Sequence, residues 1–416
     1  MSSSSLADPL TSCSPQAASF ASATNVLAPN PPAVAINGSP YSSWITNMRL
    51  NVKSHDKRLN QDAHALEQFL LTHATGRPTV LIECDGTHQE VKLSTRGKDK
   101  TVTVTDFHFT VDVSNALLPA DTYGAPVWVV ADKEPAKRGR YWHQIDYDPN
   151  PASLEAGTSP HRRKTAPLLE RMLVRDYARL RKSWLPPWTR LSAQSPTGGV
   201  RLLLPGDRIR FKDISAQGYL DFDMGPPSKT LAEWTEEYCA SRSPLKEFRF
   251  IRTVYGWSLD EVQQMVKRTL ATCHSGDHRK ETVNVIIKGR KVIVRPNNPL
   301  WWLYGLGFLR VFFYITLIYP LIMWPIKRYL LGRCWKVAGS SFAFVRYEHL
   351  EDSEPGETIA EYIARVPQAP PESNLKVTSR GISSIVGQRF EDWFSANKQT
   401  IINAAVSKAY GGPIVI

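Results

Sequence analysis

Apolar side chains are spread unevenly along this chain, and their spacing changes character several times. The longest apolar run, Leu300 to Ile326, has no polar face, and thirteen of its positions from Leu303 onward are Leu, Ile, Phe or Val. As one helix, Trp301 to Ile326 would run roughly 39 Å at ~1.5 Å per residue, against a bilayer core about 30 Å thick. Those thirteen side chains supply on the order of −4 to −8 kcal/mol for insertion, and Arg310 opposes this by at most ~3 kcal/mol. The pattern therefore predicts one membrane-embedded helix, with Phe312 and Phe313 in lipid. Trp301, Trp302 and Tyr304 would form an aromatic belt at one end, and Trp324 and Tyr329, with Lys327 and Arg328, a belt at the other. The long stem of Arg310 lets it snorkel toward the Trp301 side, and Pro320 and Pro325 would kink the second half. A helix buried in a soluble core is the alternative, and the length of the run speaks against it.

Basic residues flank the run equally: Lys288, Arg290, Lys291 and Arg295 before it, Lys327, Arg328, Arg333 and Lys336 after it. The positive-inside rule gives no direction. A single span is the expected arrangement. A re-entrant hairpin would leave both flanks in the cytosol, at the cost of unpaired backbone at its tip.

Elsewhere the periods are shorter. Residues 1–40 are rich in Ser, Ala and Pro and cannot bury a core, so a disordered tail is expected. Residues 41–134 read as a helix plus antiparallel strands. Leu59, Ala63, Leu66, Phe69 and Leu70 share one face of a helix over Ser54 to Thr75. Thr79 to Cys84 is extended, Asp85-Gly86 reads as a hairpin turn, and Gln89 to Leu93 as its second arm. Thr101 to Val113 alternates with one slip, which places a β-bulge near Asp106. Pro126 to Ala131 is a further strand.

Residues 135–200 read as a linker and a basic amphipathic helix over Lys164 to Trp184. Its stripe includes Leu168, Met172 and Leu180, while Arg171, Arg175 and Arg179 lie among the basic residues beside it. Such a helix packs on a neighbouring sheet or lies on an anionic membrane surface. Residues 201–298 read as a membrane-proximal β-α-β-β unit. Strands are expected over Arg201 to Leu204 and Arg208 to Ile214. Two capping boxes, Thr230 with Glu233 and Ser258 with Glu261, open helices. A strand over Glu247 to Val254 and a hairpin around Gly289-Arg290 complete the unit, with Arg290 and Lys291 facing headgroups. The membrane segment occupies 299–331. Residues 332–416 continue with an extended stretch from Trp335 to Tyr347, an acidic exposed one from Glu348 to Glu357, and an amphipathic helix over Ile385 to Ala409. The fold class is α+β, antiparallel strands with amphipathic helices.

Charge changes the picture by naming the partner. A formal charge of +12 and a pI near 9.4 favour anionic partners, and beside a membrane segment these are lipid headgroups. The five cysteines have no CxxC spacing, which fits a reducing compartment. The start of the chain lacks the basic region and apolar core of a signal peptide, so the region before the membrane segment is expected in the cytosol, where the Asn37 sequon would be inert.

Candidate chemistry is sparse. Gly157 to Thr165 ends in Lys-Thr without the second glycine of a phosphate loop, and neither G-x-S-x-G nor H-E-x-x-H occurs. Cys273, His274, Asp277 and His278 resemble a partial metal set but lack a fourth, held ligand, and a polar helix terminus accounts for them. Asp85, His88 and Glu90 could perform acid–base work, although turn chemistry explains Asp85 and Gly86 without it. Aromatic and basic residues from Trp184 to Arg190 could stack bases, but membrane anchoring makes nucleic acid an unexpected partner. No cofactor or metal is implied.

Several short segments recur together in another group of proteins. Glu83-Cys84-Asp85-Gly86-Thr87-His88, Lys246-Glu247-Phe248, Val254-Tyr255-Gly256-Trp257, Val294-Arg295-Pro296-Asn297-Asn298 and Ile315-Thr316-Leu317-Ile318-Tyr319-Pro320 give the chain a resemblance to a family of fungal membrane proteins of unassigned function. The resemblance runs from about Tyr41 to the C-terminal helix. It implies a membrane segment and carries over no catalytic residue. The expected function is a membrane-anchored, non-enzymatic protein whose basic region binds headgroups or a protein partner. The alternative is a membrane-bound enzyme, acting on lipids through residues such as His88.

Overall fold

The computed structural model describes residues 41–46, 49–92, 100–119, 127–132, 134–147, 162–165, 186–187, 192–194, 200–202, 229–273, 279–301, 307–354, 356–378 and 381–415. Its strands in chain order are β1 (Ser43–Ile45), β2 (Val52–Ser54), β3 (Thr79–Lys92), β4 (Lys100–Asp112), β5 (Val127–Val129), β6 (Lys137–Arg138), β7 (Gln144–Tyr147), β8 (Arg162–Thr165), β9 (Ser192–Gln194), β10 (Val200–Leu202), β11 (Leu245–Tyr255), β12 (Arg279–Lys288), β13 (Lys291–Val294), β14 (Gly332–Ala343), β15 (Val345–His349), β16 (Leu375–Thr378), β17 (Gly381–Gly387) and β18 (Tyr410–Val415). The α-helices are α1 (Ala63–Ala74), α2 (Leu231–Ala240), α3 (Leu259–Cys273), α4 (Gly307–Ile315), α5 (Ile359–Arg365) and α6 (Phe390–Val406). The expected α+β class holds, with mixed rather than purely antiparallel sheets.

The first sheet has the order β1-β2-β13-β11-β14, and β14 carries β5 and β6 on its outer edge. Phe248 and Phe250 face Leu66, Phe69 and Leu70 of α1 and Trp234 and Tyr238 of α2 in one buried cluster. Lys246 shares that face, where its ammonium donates to the carbonyls of Asn60 (2.9 Å), Tyr238 (3.0 Å) and Cys239 (3.3 Å). Three carbonyl acceptors satisfy a cation that burial would otherwise make costly. Glu247 and Arg249 point to the opposite face, where they pair.

The second sheet has the order β12-β3-β4-β18. Val80, Ile82 and Cys84 of β3 and Phe107, Phe109 and Val111 of β4 form one wall of a second core. Val262, Val266 and Leu270 of α3 and Trp393, Phe394 and Ile401 of α6 form the other. Trp257 stacks on Phe344 with centroids 3.9 Å apart. A third sheet, β15-β17-β16, packs Leu375 and Ile382 against Tyr362 of α5.

Several expectations are corrected. Asp85-Gly86 is no turn: β3 runs through it, pairing with β4 from Leu81–Asp112 to Lys92–Lys100. Gly86 serves close approach instead, because a Cβ there would lie 2.2 Å from the Phe107 ring. The expected bulge is present, with Gly86 opposite Phe107, Thr87 opposite Thr105, and Asp106 the extra residue. The strands around Gly289 form no hairpin: β12 pairs with β3 and β13 with β11, so Gly289 (φ +72°) carries the chain from one sheet to the other.

Helix boundaries move too. Asp62 caps α1 by accepting from the N–H groups of His64 and Ala65, so the helix begins at Ala63 and residues 52–54 form β2 instead. Ile385 belongs to β17, opposite Tyr347, and α6 starts only at Phe390. The Thr230–Glu233 capping box forms in both directions, and the Ser258 hydroxyl accepts from the Glu261 N–H. The expected strand 208–214, the helix 164–184 apart from its first residues in β8, and the 1–40 tail lie outside the described residues.

Candidate membrane-contact surface

The connection from β13 to β14 positions the apolar run. β13 is antiparallel to β11 and ends with Val294 opposite Phe248. β14 is parallel to β11 and starts with Gly332 opposite Leu245. Both ends of the excursion 295–331 thus leave the sheet beside the start of β11. They are two strand spacings apart, about 10 Å. A single span would put the two flanks on opposite sides of a bilayer, and flanks paired to one strand cannot be so divided. The expected continuous helix over 301–326 is absent as well. No helix among the described residues is long and apolar enough to cross a membrane.

The excursion folds back on itself instead. α4 ends at Ile315, and Leu317 turns the chain with φ +59°. Two wide turns follow, Tyr319–Met323 and Ile326–Leu330, closed by N–H bonds from Trp324 to Tyr319 and from Leu331 to Ile326. Pro320 sits in the first turn, where a missing N–H is tolerated, and Pro325 lies where the two wide turns join. The Tyr314 and Tyr319 rings stack across the turn, centroids 4.5 Å apart. The result is a helical hairpin, many of whose apolar side chains are exposed. Ile315 is 76 % exposed, Leu321 69 %, Leu330 67 % and Val311 60 %. Phe312, Leu317, Ile322 and Trp324 are exposed as well, while Phe313 and Pro320 are half-buried. Contiguous apolar exposure on this scale marks an interaction site.

At the root of the hairpin, Trp301 is buried rather than placed in an interfacial belt. Its ring lies between the guanidinium of Arg295 at 4.2 Å and the ammonium of Lys327 at 4.5 Å. Arg328 packs over Trp324 at 5.0 Å. Trp302 lies outside the described residues, and Arg310 is placed by its backbone in α4.

The sheet face beside this root is strongly cationic. Strand register aligns Lys53 of β2, Ile293 of β13 and Arg249 of β11. The β11–β14 bulge comes next, followed by Lys336 of β14 opposite Lys137 of β6. Lys291 stands two residues from Ile293 on the same face. Beneath them Glu247 is fully buried, held by Arg249 and by Arg295, whose Nε donates at 2.6 Å. No carboxylate pairs with Lys53, Lys137 or Lys291 among the described residues. Burial first, and then the Arg295 charge, push the Lys53 ammonium below its usual pKa. Lys291 is lowered by burial and by Arg249, Arg290, Arg49 and Lys137. Burial lowers Lys137, against the pull of Cys334, and Arg249 and Arg328 add to the lowering. Exposed Arg290 and Arg49 extend the patch.

The expected headgroup residues divide accordingly. Arg290, Lys291, Lys327 and Arg328 fall on or beside the patch, whereas Arg171, Arg175 and Arg179 lie outside the described residues. Lys53, Lys137 and Arg249 were not singled out from the sequence. The sequence predicts a strand over Glu247 to Val254, and only strand order brings Lys53 and Lys137 alongside Arg249.

The His88 cluster is built differently from the turn expected. His88 Nδ1 meets Asp106 at 2.8 and 2.9 Å, and Nε2 meets Glu90 at 3.0 Å, so both ring nitrogens are engaged. Asp85 pairs instead with His108. No group of three His, Cys, Asp or Glu among the described residues is placed to hold a metal, and His274, Asp277 and His278 lie outside them. A hollow of about 760 Å³ beside Lys246 is lined by His55, Asp56, Lys57 and Arg242, and its one buried ammonium is already saturated by carbonyls. Cys84, Cys239, Cys273 and Cys334 are free thiols. No family model, curated protein or solved structure matches this chain.

Proposed function

We propose that this chain is a monotopic membrane protein. Its hairpin enters one leaflet, and its cationic sheet face lies against anionic headgroups. The observation that carries the reading is the pairing of both flanks of the apolar excursion with β11. It supports a run that enters and leaves on one side. The hairpin supplies the apolar free energy, and the basic patch adds about 1 kcal/mol per Lys or Arg near an anionic surface. The reading is of a tether and headgroup reader rather than a catalyst. It is supported by the occupancy of both His88 nitrogens and by a cation patch aligned with the hairpin root. The cytosol remains the proposed side for the folded region.

Flotation of the full chain on preformed vesicles, after dilution from detergent, tests this. The chain is expected to float. The double variant Ile315→Asp/Leu321→Asp, altered only at exposed hairpin positions, is expected to stay at the bottom with unchanged circular dichroism. Recovery of the unaltered chain in the aqueous supernatant without detergent would overturn the proposal.

A further inference from the structure

We propose that the sheet face around Ile293 binds a lipid headgroup carrying phosphomonoesters, a polyphosphorylated one, rather than anionic phosphodiester lipids in general. The proposal rests on the monotopic reading, which sets this face at headgroup height. Ile293, only 8 % exposed, forms an apolar floor. Lys53 and Arg249 stand on the strands at either side of it, about 10 Å apart across two strand spacings. Lys291 stands about 7 Å away along β13. Three long cationic side chains around a small floor suit a ring bearing several phosphates.

Charge argues the same way. Lys53 and Lys291 are half-buried cations with no carboxylate opposite among the described residues, and their charged neighbours there include Arg249, Arg290, Arg49 and Arg295. A phosphodiester brings a single negative charge. A phosphomonoester brings about −1.5 to −2 at pH 7 and three acceptor oxygens. A headgroup with more than one such group matches Lys53 and Lys291 together, beyond the Arg249 and Arg295 charges that Glu247 partly balances. The patch is also partly ordered in advance. Buried Glu247 fixes Arg249 and Arg295 by their guanidinium groups, which reduces the entropy lost on binding. Nucleic acid fits less well, because the exposed apolar hairpin beside the patch has no role on a polyanion in water.

The test uses the full chain diluted from detergent onto three vesicle types: phosphatidylcholine alone, with phosphatidylserine, and with phosphatidylinositol bisphosphate at matched surface charge. Flotation on all three is expected, with about tenfold tighter binding to the bisphosphate vesicles than to the serine ones. Lys53→Gln/Lys291→Gln, which leaves the Glu247 pairs intact, is expected to lose that increment while still floating on phosphatidylcholine. Equal binding at matched charge, or an unaltered double variant, would overturn the headgroup assignment and leave the anchor standing. Failure to float on phosphatidylcholine would sink the anchor reading itself. Free inositol trisphosphate binding as tightly as the vesicles, or single-stranded RNA binding more tightly, would assign the face to a soluble ligand or to nucleic acid and overturn the proposal.

Discussion

Val294 and Gly332 bracket an excursion of the chain yet sit on either side of one strand, Val294 opposite Phe248 and Gly332 opposite Leu245 of β11. Everything between them must return to where it left. The apolar run is therefore a crossover connection between sheet strands before it is anything else, and its hairpin shape follows from that connectivity.

The tip of the hairpin stores local strain that can be measured. Leu317 holds φ +59°, a region that penalises a Cβ by roughly 1–2 kcal/mol. Leu317→Gly is expected to raise the detergent-solubilised thermal midpoint slightly or leave it unchanged. Leu317→Val, branched at Cβ, is expected to lower it. The reverse order would place the turn elsewhere.

Gly86 sits in mid-strand with the Phe107 ring where a side chain would be. That ring is buried and packs against Phe109 at 5.6 Å, so it has little room to retreat. Gly86→Ala is expected to cost about 1–3 kcal/mol in urea unfolding. A neutral result would mean that β3 carries the turn its sequence first suggests.

Arg138 is fully buried over the Trp234 ring. It pairs with Asp146 at 3.3 Å and donates to the carbonyls of Ala131 and Glu134 at 2.6 and 3.1 Å. Arg138→Met strands a buried carboxylate and those carbonyls, for an expected loss of about 3–5 kcal/mol. Asp146 keeps Arg163 at 3.0 Å, so part of the loss is cushioned. Denaturant midpoints of Arg138→Met and Arg138→Lys, the second retaining the charge, separate charge from shape.

Hydrogen bonding to Asp106, and then to Glu90, raises the His88 pKa above its usual value. Its contribution to stability is then fully present below the unfolded value near ~6.5, and it is lost as pH rises through the folded one. Amide exchange at the β3–β4 end is expected to quicken through that window beyond the ordinary base catalysis seen elsewhere. His88→Gln is expected to remove the extra step. An unchanged profile in the variant would assign the step to another group.

Local order was readable where one residue's chemistry decides the outcome. The capping residues Thr230 and Ser258, the alternation slip at Asp106, and the stripe of α3 all reappear in the structure. Partner choice between strands was not readable. Gly86 and Gly289 look like hairpin turns because glycine permits them, whereas one admits an aromatic ring and the other switches sheets. The break in the expected continuous helix after Ile315 has the same origin. Hydropathy reports what Phe312 prefers as solvent, but the pairing of β13 and β14 with β11 decides where the run leaves the sheet and returns to it. The cation patch assembles from four strands far apart in sequence, so only Arg290, Lys291, Lys327 and Arg328 could be singled out beforehand.

Protease protection in sealed microsomes, with epitope tags at both ends of the chain, tests the account most directly. The hairpin account predicts that both tags are digested, or both protected, together, while the chain stays in the membrane pellet. One tag protected and the other digested would mean that the run from Gly307 to Leu331 crosses the bilayer, and that the shared pairing with β11 does not exist in the membrane.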